Sequence, residues 1–245
     1  SFALFLLGTE LKENNSDYRE KYQNALKIIK ESVRAYPHSL LHDKSLYLQA
    51  ILLESLDKKY AAQKIWKILV QNDKPSTYVH HAHTALGDFF FHAEKYQSAF
   101  IEYQKAKNIL LQLKDNFSSY YELKSWYRLA WSAYFSGKMQ DAIEACYALF
   151  SLPKEGLTQD EKRLLIRDAA KIISRSFIEI EDIISIKRLV KKRIPNPYWG
   201  AVSLSLMNRW QQENALQKAS DMALWALKND QTSYEFPEIL SQLEK

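Results

Sequence analysis

Three histidines, His80, His81 and His83, form the only histidine cluster in the chain. On a helix, residues three apart share a face, so His80 and His83 would offer a metal two imidazole ligands. A metal centre needs further donors at a recognisable spacing, and none follows, so core or surface histidines are the preferred reading. His92 has no serine or aspartate companion of the triad type. The carboxylates Glu179, Glu181 and Asp182 would suit acid–base work, but they stand at a helix junction, where acidic side chains favour the next helix N-terminus. The five glycines, Gly8, Gly87, Gly137, Gly156 and Gly200, are isolated, so no glycine-rich phosphate loop exists. No enzyme, metal or cofactor is expected from these residues.

The densest positive charge is the basic patch Lys187, Arg188, Lys191, Lys192 and Arg193. Its place in the last turn of a helix, against the negative end of the dipole, accounts for it structurally. A contact with an acidic partner or anionic headgroups is the functional alternative.

The elements that must position these groups are helices. Five Gly and six Pro in 245 residues leave long uninterrupted periodic segments, and 47% hydrophobic content supplies a core. Lys and Arg (34) are interleaved with Asp and Glu (29) for a net charge of +5, the pattern of solvated helix faces, so no nucleic-acid partner is expected. The single Cys146 excludes an internal disulfide framework. No run reaches the roughly 18 apolar residues of a membrane span, so membrane contact is expected only indirectly or through a partner. The apolar start, residues 1–8, lacks a basic leader and reads as the first helix.

Along the chain, helices are expected at 2–12 and 18–35, the second with the stripe Tyr22, Ala25, Ile29 and Val33. Helical pairs follow at 39–70 and 77–113, then, after a connection at 114–119, a pair ending at Leu152-Pro153. Ser76 or Thr77 caps one helix, and Thr158 to Glu161 opens another. A long helix around Leu164–Phe177, a shorter one at 182–193, a last pair after Pro195-Asn196-Pro197 and a short helix after Pro237 complete about 11 to 13 helices. No strand alternation appears.

Within the pairs, small residues recur 12 apart: Ala50 and Ala62, Gly87 and Ala99, Ala130 and Ala142, with a weaker echo at Met207 and Ala219. One member falls on each helix of a pair, where the backbones must touch. With Leu86, Phe90, Tyr103 and Ala106, and with Trp126, Leu129 and Leu149, this resembles the tetratricopeptide repeat, W-x2-L-G-x2-Y followed by A, F or Y, A and P over about 34 residues. Leu86 to Leu129 spans 43 residues, nine beyond that norm.

The resemblance implies an all-α, right-handed superhelical solenoid of antiparallel helix pairs. It divides the chain into a divergent N-terminal pair at 1–38, repeats at 39–153 and divergent helical repeats with a cap at 154–245. It further implies a non-catalytic scaffold that binds a peptide segment or partner helix on its concave face. The candidate contacts there are Asp88, Phe91, Tyr120, Tyr121, Tyr127, Trp131 and Tyr134. Asp88 and Trp131 stand where a chaperone-tail clamp wants Asn, and Thr84 and Tyr127 where it wants Lys, which argues against that clamp. The phrases 82–91 and 127–137 are similar to bacterial cell-envelope repeat proteins of the periplasmic or outer-membrane-associated, gliding-motility and Tol–Pal-type kind. That likeness implies a periplasmic or envelope location, the alternative being a cytosolic adaptor, a regulator or a secreted effector.

Overall fold

The structure, a computed structural model, describes residues 16–71, 74–113, 119–229 and 234–243; the side chains of residues 16–18 and 119–121 lie outside that description. The helix expected at 2–12 also lies outside it. Every regular element among the described residues is helical. The chain forms two compact units, Ser1–Phe117 and Ser118–Lys245. Their division falls inside the 39–153 span, at the long connection.

The first unit contains α1 (Ser16–Ala35), α2 (His42–Ser55), α3 (Lys59–Leu69), α4 (Thr77–His92) and α5 (Tyr96–Gln112). Consecutive helices pack on one another. Leu26 of α1, Leu46, Ala50 and Leu53 of α2, Ala62, Trp66 and Leu69 of α3, and Ala82 and Leu86 of α4 share one apolar core. Burying a side chain of Leu or Trp size contributes about 1.5–3 kcal/mol. Ser76 caps α4, its Oγ accepting from the Val79 amide at 3.2 Å.

The second unit contains α6 (Ser119–Phe135), α7 (Met139–Ser151), α8 (Gln159–Ile180), α9 (Ile183–Arg193), a 3-10 turn at Asn196–Tyr198, α10 (Trp199–Gln212), α11 (Leu216–Asn229) and α12 (Phe236–Leu243). The long α8 begins at a reciprocal capping box between Thr158 and Glu161. It packs on α7 on one side and α10 on the other. Its inner stripe of Leu165, Ala169, Ile172, Ile173 and Phe177 is buried. Pro237 lies inside the first turn of α12, where its missing N–H costs nothing, and does not precede the helix as expected.

Four helical hairpins, α2–α3, α4–α5, α6–α7 and α10–α11, share one turn. In each, a residue with left-handed φ sits in the middle: Asp57 (59°), Glu94 (57°), Gly137 (76°) and Asn214 (58°). The following amide closes back five residues, Lys58 to Leu53 (2.8 Å), Lys95 to Phe90 (2.9 Å), Lys138 to Ala133 (2.9 Å) and Ala215 to Trp210 (2.8 Å). This is the Schellman closure, which satisfies the helix-end carbonyls and turns the chain back within three residues. The 12-residue pairs straddle these turns at fixed offsets, and Ala50, Ala62, Ala99, Ala130, Ala142, Met207 and Ala219 are all buried.

Left-handed φ costs a side-chain-bearing residue more than glycine. Glu94→Gly is therefore expected to stabilise the first unit by about 0.5–1 kcal/mol, and Gly137→Glu to destabilise the second by a similar amount. Nothing lies within 4 Å of a Cβ at Gly137, so the second change reads backbone strain alone. Thermal melts check both signs; the same sign for both would remove the shared-turn account.

Candidate partner-binding surface

Helical spacing on α6 puts Tyr127, Trp131 and Tyr134 on neighbouring turns, and the structure extends the row to Phe135. The Trp131 and Phe135 rings stack at 5.3 Å with 17° between planes. Tyr134 meets Trp131 at 6.4 Å and Phe135 at 5.4 Å, both edge-on. Trp131 and Tyr134 are half-buried and Phe135 is 45% exposed. Phe135 was not among the expected contacts, although its place four residues after Trp131 signals it. Half-exposed rings that support one another lose little side-chain entropy on binding, which makes them good anchors.

Tyr127 departs from the expectation. It is fully buried, edge-on to Trp131 at 6.5 Å, and its hydroxyl donates to Asp168 Oδ2 at 2.7 Å. Burial first, then the Asp168 charge and hydrogen bond, push its hydroxyl pKa up. It ties α6 to α8 from within the core and presents no surface. Tyr120 and Tyr121 lie on α6, but their side chains are outside the described residues.

In the first unit, Asp88 is half-buried and its Oδ1 accepts from the Tyr103 hydroxyl at 2.6 Å. Glu54 accepts from Trp66 Nε1 at 2.7 Å. Burial raises the Glu54 carboxyl pKa; the Trp66 hydrogen bond opposes the rise and the Asp88 charge adds to it. Phe91 is half-buried and packs edge-on against Tyr96 at 5.2 Å. Asp88 and Phe91 thus belong to one hairpin, and the α6 row to the other unit.

The histidines serve packing. His80 Nδ1 bonds the Ala106 carbonyl at 3.0 Å, and His83 Nδ1 bonds Glu102 Oε2 at 2.7 Å. Burial raises the Glu102 pKa, but hydrogen bonds from His83 and Lys105 outweigh it and hold the carboxyl below its ordinary value. Among the described residues no group of three or more His, Cys, Asp or Glu could hold a metal. Cys146 is fully buried, and burial raises its thiol pKa.

The basic patch divides. Lys191 and Lys192 are exposed in the last turn of α9. Arg193 is engaged within the unit, 2.8 Å from Glu144 Oε2 and 4.1 Å over the Tyr147 ring. Lys187 is half-buried and Arg188 exposed. A second basic feature went unread in the sequence: Arg163, Arg167, Lys171 and Arg175 recur every fourth residue along α8, all exposed. No helix among the described residues is long and apolar enough to cross a membrane.

Comparison with models of known protein families gives no match, and comparison with curated proteins gives none either.

Proposed function

We propose that this chain is a non-catalytic scaffold that binds a segment of another protein, built as a tetratricopeptide-like right-handed solenoid. The observation that carries this reading is the recurrence, in both units, of one hairpin with one turn and one buried small-residue pair. Repeated hairpins of this kind bury little alone and gain stability by stacking, which leaves one helix of each pair facing a groove. On α6 that position holds the stacked Trp131–Phe135 pair, with Tyr134 beside it. A partner segment would bury against these rings, with flanking charges setting its orientation. The engagement of His80, His83 and Asp182 in internal hydrogen bonds supports a structural role for groups that would otherwise suggest metal binding or catalysis. The likeness of the 82–91 and 127–137 phrases to bacterial cell-envelope repeat proteins supports an envelope assembly as the setting.

A photocrosslinker at Tyr134, used in the source cell and read by mass spectrometry, is expected to capture an envelope protein. Trp131→Ala is then expected to weaken that partner's binding by about 2 kcal/mol, a hot-spot loss, with a smaller effect on stability. Capture of cytosolic proteins would overturn the setting alone. Undiminished binding by Trp131→Ala would overturn the aromatic row as the contact.

A further inference from the structure

Arg163, Arg167, Lys171 and Arg175 stand on α8 at steps of four residues, about 6 Å apart and about 18 Å from first to last. Like charges at this spacing repel and cost an isolated helix about 0.2–0.5 kcal/mol per pair. Elsewhere acids are interleaved with the cations, which is how an ordinary solvated face avoids that cost. Here the acids stand at the ends of the row, Asp160 three before Arg163 and Glu179 four after Arg175, and the middle has no exposed one. The residues three and four away from Arg167 are Arg163, Leu164, Ala170 and Lys171. Asp168, the one acid inside the row, is buried and held by Tyr127.

Among the described residues Arg163 has only Asp160 at 3.9 Å, a carboxylate 96% exposed, and the Tyr234 ring at 5.0 Å. Lys171 reaches Asp168 at 3.9 Å. Arg167 and Arg175 have no ion-pair, hydrogen-bond or ring partner among the described residues. Lys162 adds a further positive charge beside the row: burial first, then the Lys162 charge, pull the Lys154 pKa down to about 8.

We propose that this row is a docking surface for an acidic helix of a partner protein, one whose carboxylates recur every fourth residue. Such a helix repeats its charges at the same step of about 6 Å, so each cation meets one carboxylate. The ends of the row set the length of the ligand. Asp160 and Glu161 precede it, and Glu179, Glu181 and Asp182 follow it, so an anion that runs on in either direction meets repulsion. A nucleic-acid backbone runs on; a short acidic helix does not. The surface rests on the protein-binding reading but lies on a different helix from the aromatic row.

The test titrates the full chain with a fluorescent helical peptide bearing glutamate at every fourth position over four turns. A peptide of equal composition with its glutamates contiguous and a single-stranded oligothymidine of similar length serve as competitors. The patterned peptide is expected to bind best, and to release at about 1 M salt, where the screening length falls to about 3 Å. Arg167→Glu/Arg175→Glu is expected to weaken it about tenfold without lowering the melting temperature, because both side chains are exposed and the new attractions to Arg163 and Lys171 offset the one new repulsion, between position 175 and Glu179. Lys191→Glu/Lys192→Glu makes the same charge change elsewhere and should leave binding intact, as should Trp131→Ala. Equal binding of the contiguous peptide, tighter binding of the oligonucleotide, or an unchanged Arg167→Glu/Arg175→Glu variant would each overturn the proposal. None of these outcomes touches the crosslinking result at Tyr134, so the two readings fail separately.

Discussion

Gly87→Ala is expected to destabilise the α4–α5 hairpin even though alanine is the better helix former. In open space the change would gain about 1 kcal/mol of helix propensity. Gly87 is not in open space. A Cβ there would stand 2.5 Å from Cδ1 and 3.0 Å from Cζ of Tyr103. The ring has nowhere to go: Tyr103 is 1% exposed and its hydroxyl is fixed to Asp88 on α4. Overpacking of this kind costs about 1–3 kcal/mol, which exceeds the propensity gain at most of that range. A net loss of about 1 kcal/mol would lower the melting temperature of a unit this size by about 4–8 °C. The other hairpins locate the cause. Ala50 and Ala130 occupy the same register with a Cβ and are fully buried, in hairpins that carry Trp66 and Cys146 where this one carries Tyr103. Gly87→Ala should therefore be suppressed by Tyr103→Leu, a non-additive pair in a double-mutant cycle. An additive pair would show that the ring is not what excludes the methyl group.

The hairpins were legible because their determinants are local. A small residue seven before the turn and another five after it are fixed by a three-residue connection, and both can be read from one window of sequence. Helix starts at Ser76, Thr158 and Asp182 were legible for the same reason, since each cap acts within three residues. Tyr127 was misread because its burial is non-local. Its stripe on α6 runs on to the half-exposed Trp131 and Tyr134, and only Asp168, 41 residues away on α8, shows that this end of the stripe faces inward. The basic row on α8 escaped for a different reason. Charge density along the chain picks out 187–193, whereas helical spacing spreads four cations across 163–175, so a contiguous window dilutes them. Phe135 was a misjudged end of a row whose spacing was already in view. The partner itself is not written in any of these patterns, because binding chemistry is a property of the assembled surface.

Tyr127→Ala is expected to be among the most destabilising single changes in the second unit, about 3–5 kcal/mol. The ring is 0% exposed, so its removal leaves a cavity as well as losing transferred surface. Tyr127→Phe separates the hydroxyl from the ring. It keeps the packing but leaves the Asp168 carboxylate, 5% exposed, without its 2.7 Å donor. Among the described residues its one ion-pair partner is Lys171 at 3.9 Å, itself half-exposed and able to satisfy the charge only weakly. A buried carboxylate stripped of its donor costs about 1.5–3 kcal/mol, so the Phe variant should fall well short of wild-type stability. Tyr127→Phe/Asp168→Leu removes both partners and should recover much of the loss, because no charge is then left buried. Chemical denaturation of the three variants reads the ordering directly: Ala lowest, Phe intermediate, the double variant nearest wild type. If Tyr127→Ala melts with the wild type while partner binding falls, the side chain belongs to the binding surface with Trp131, and the α6–α8 contact is not what holds this unit together.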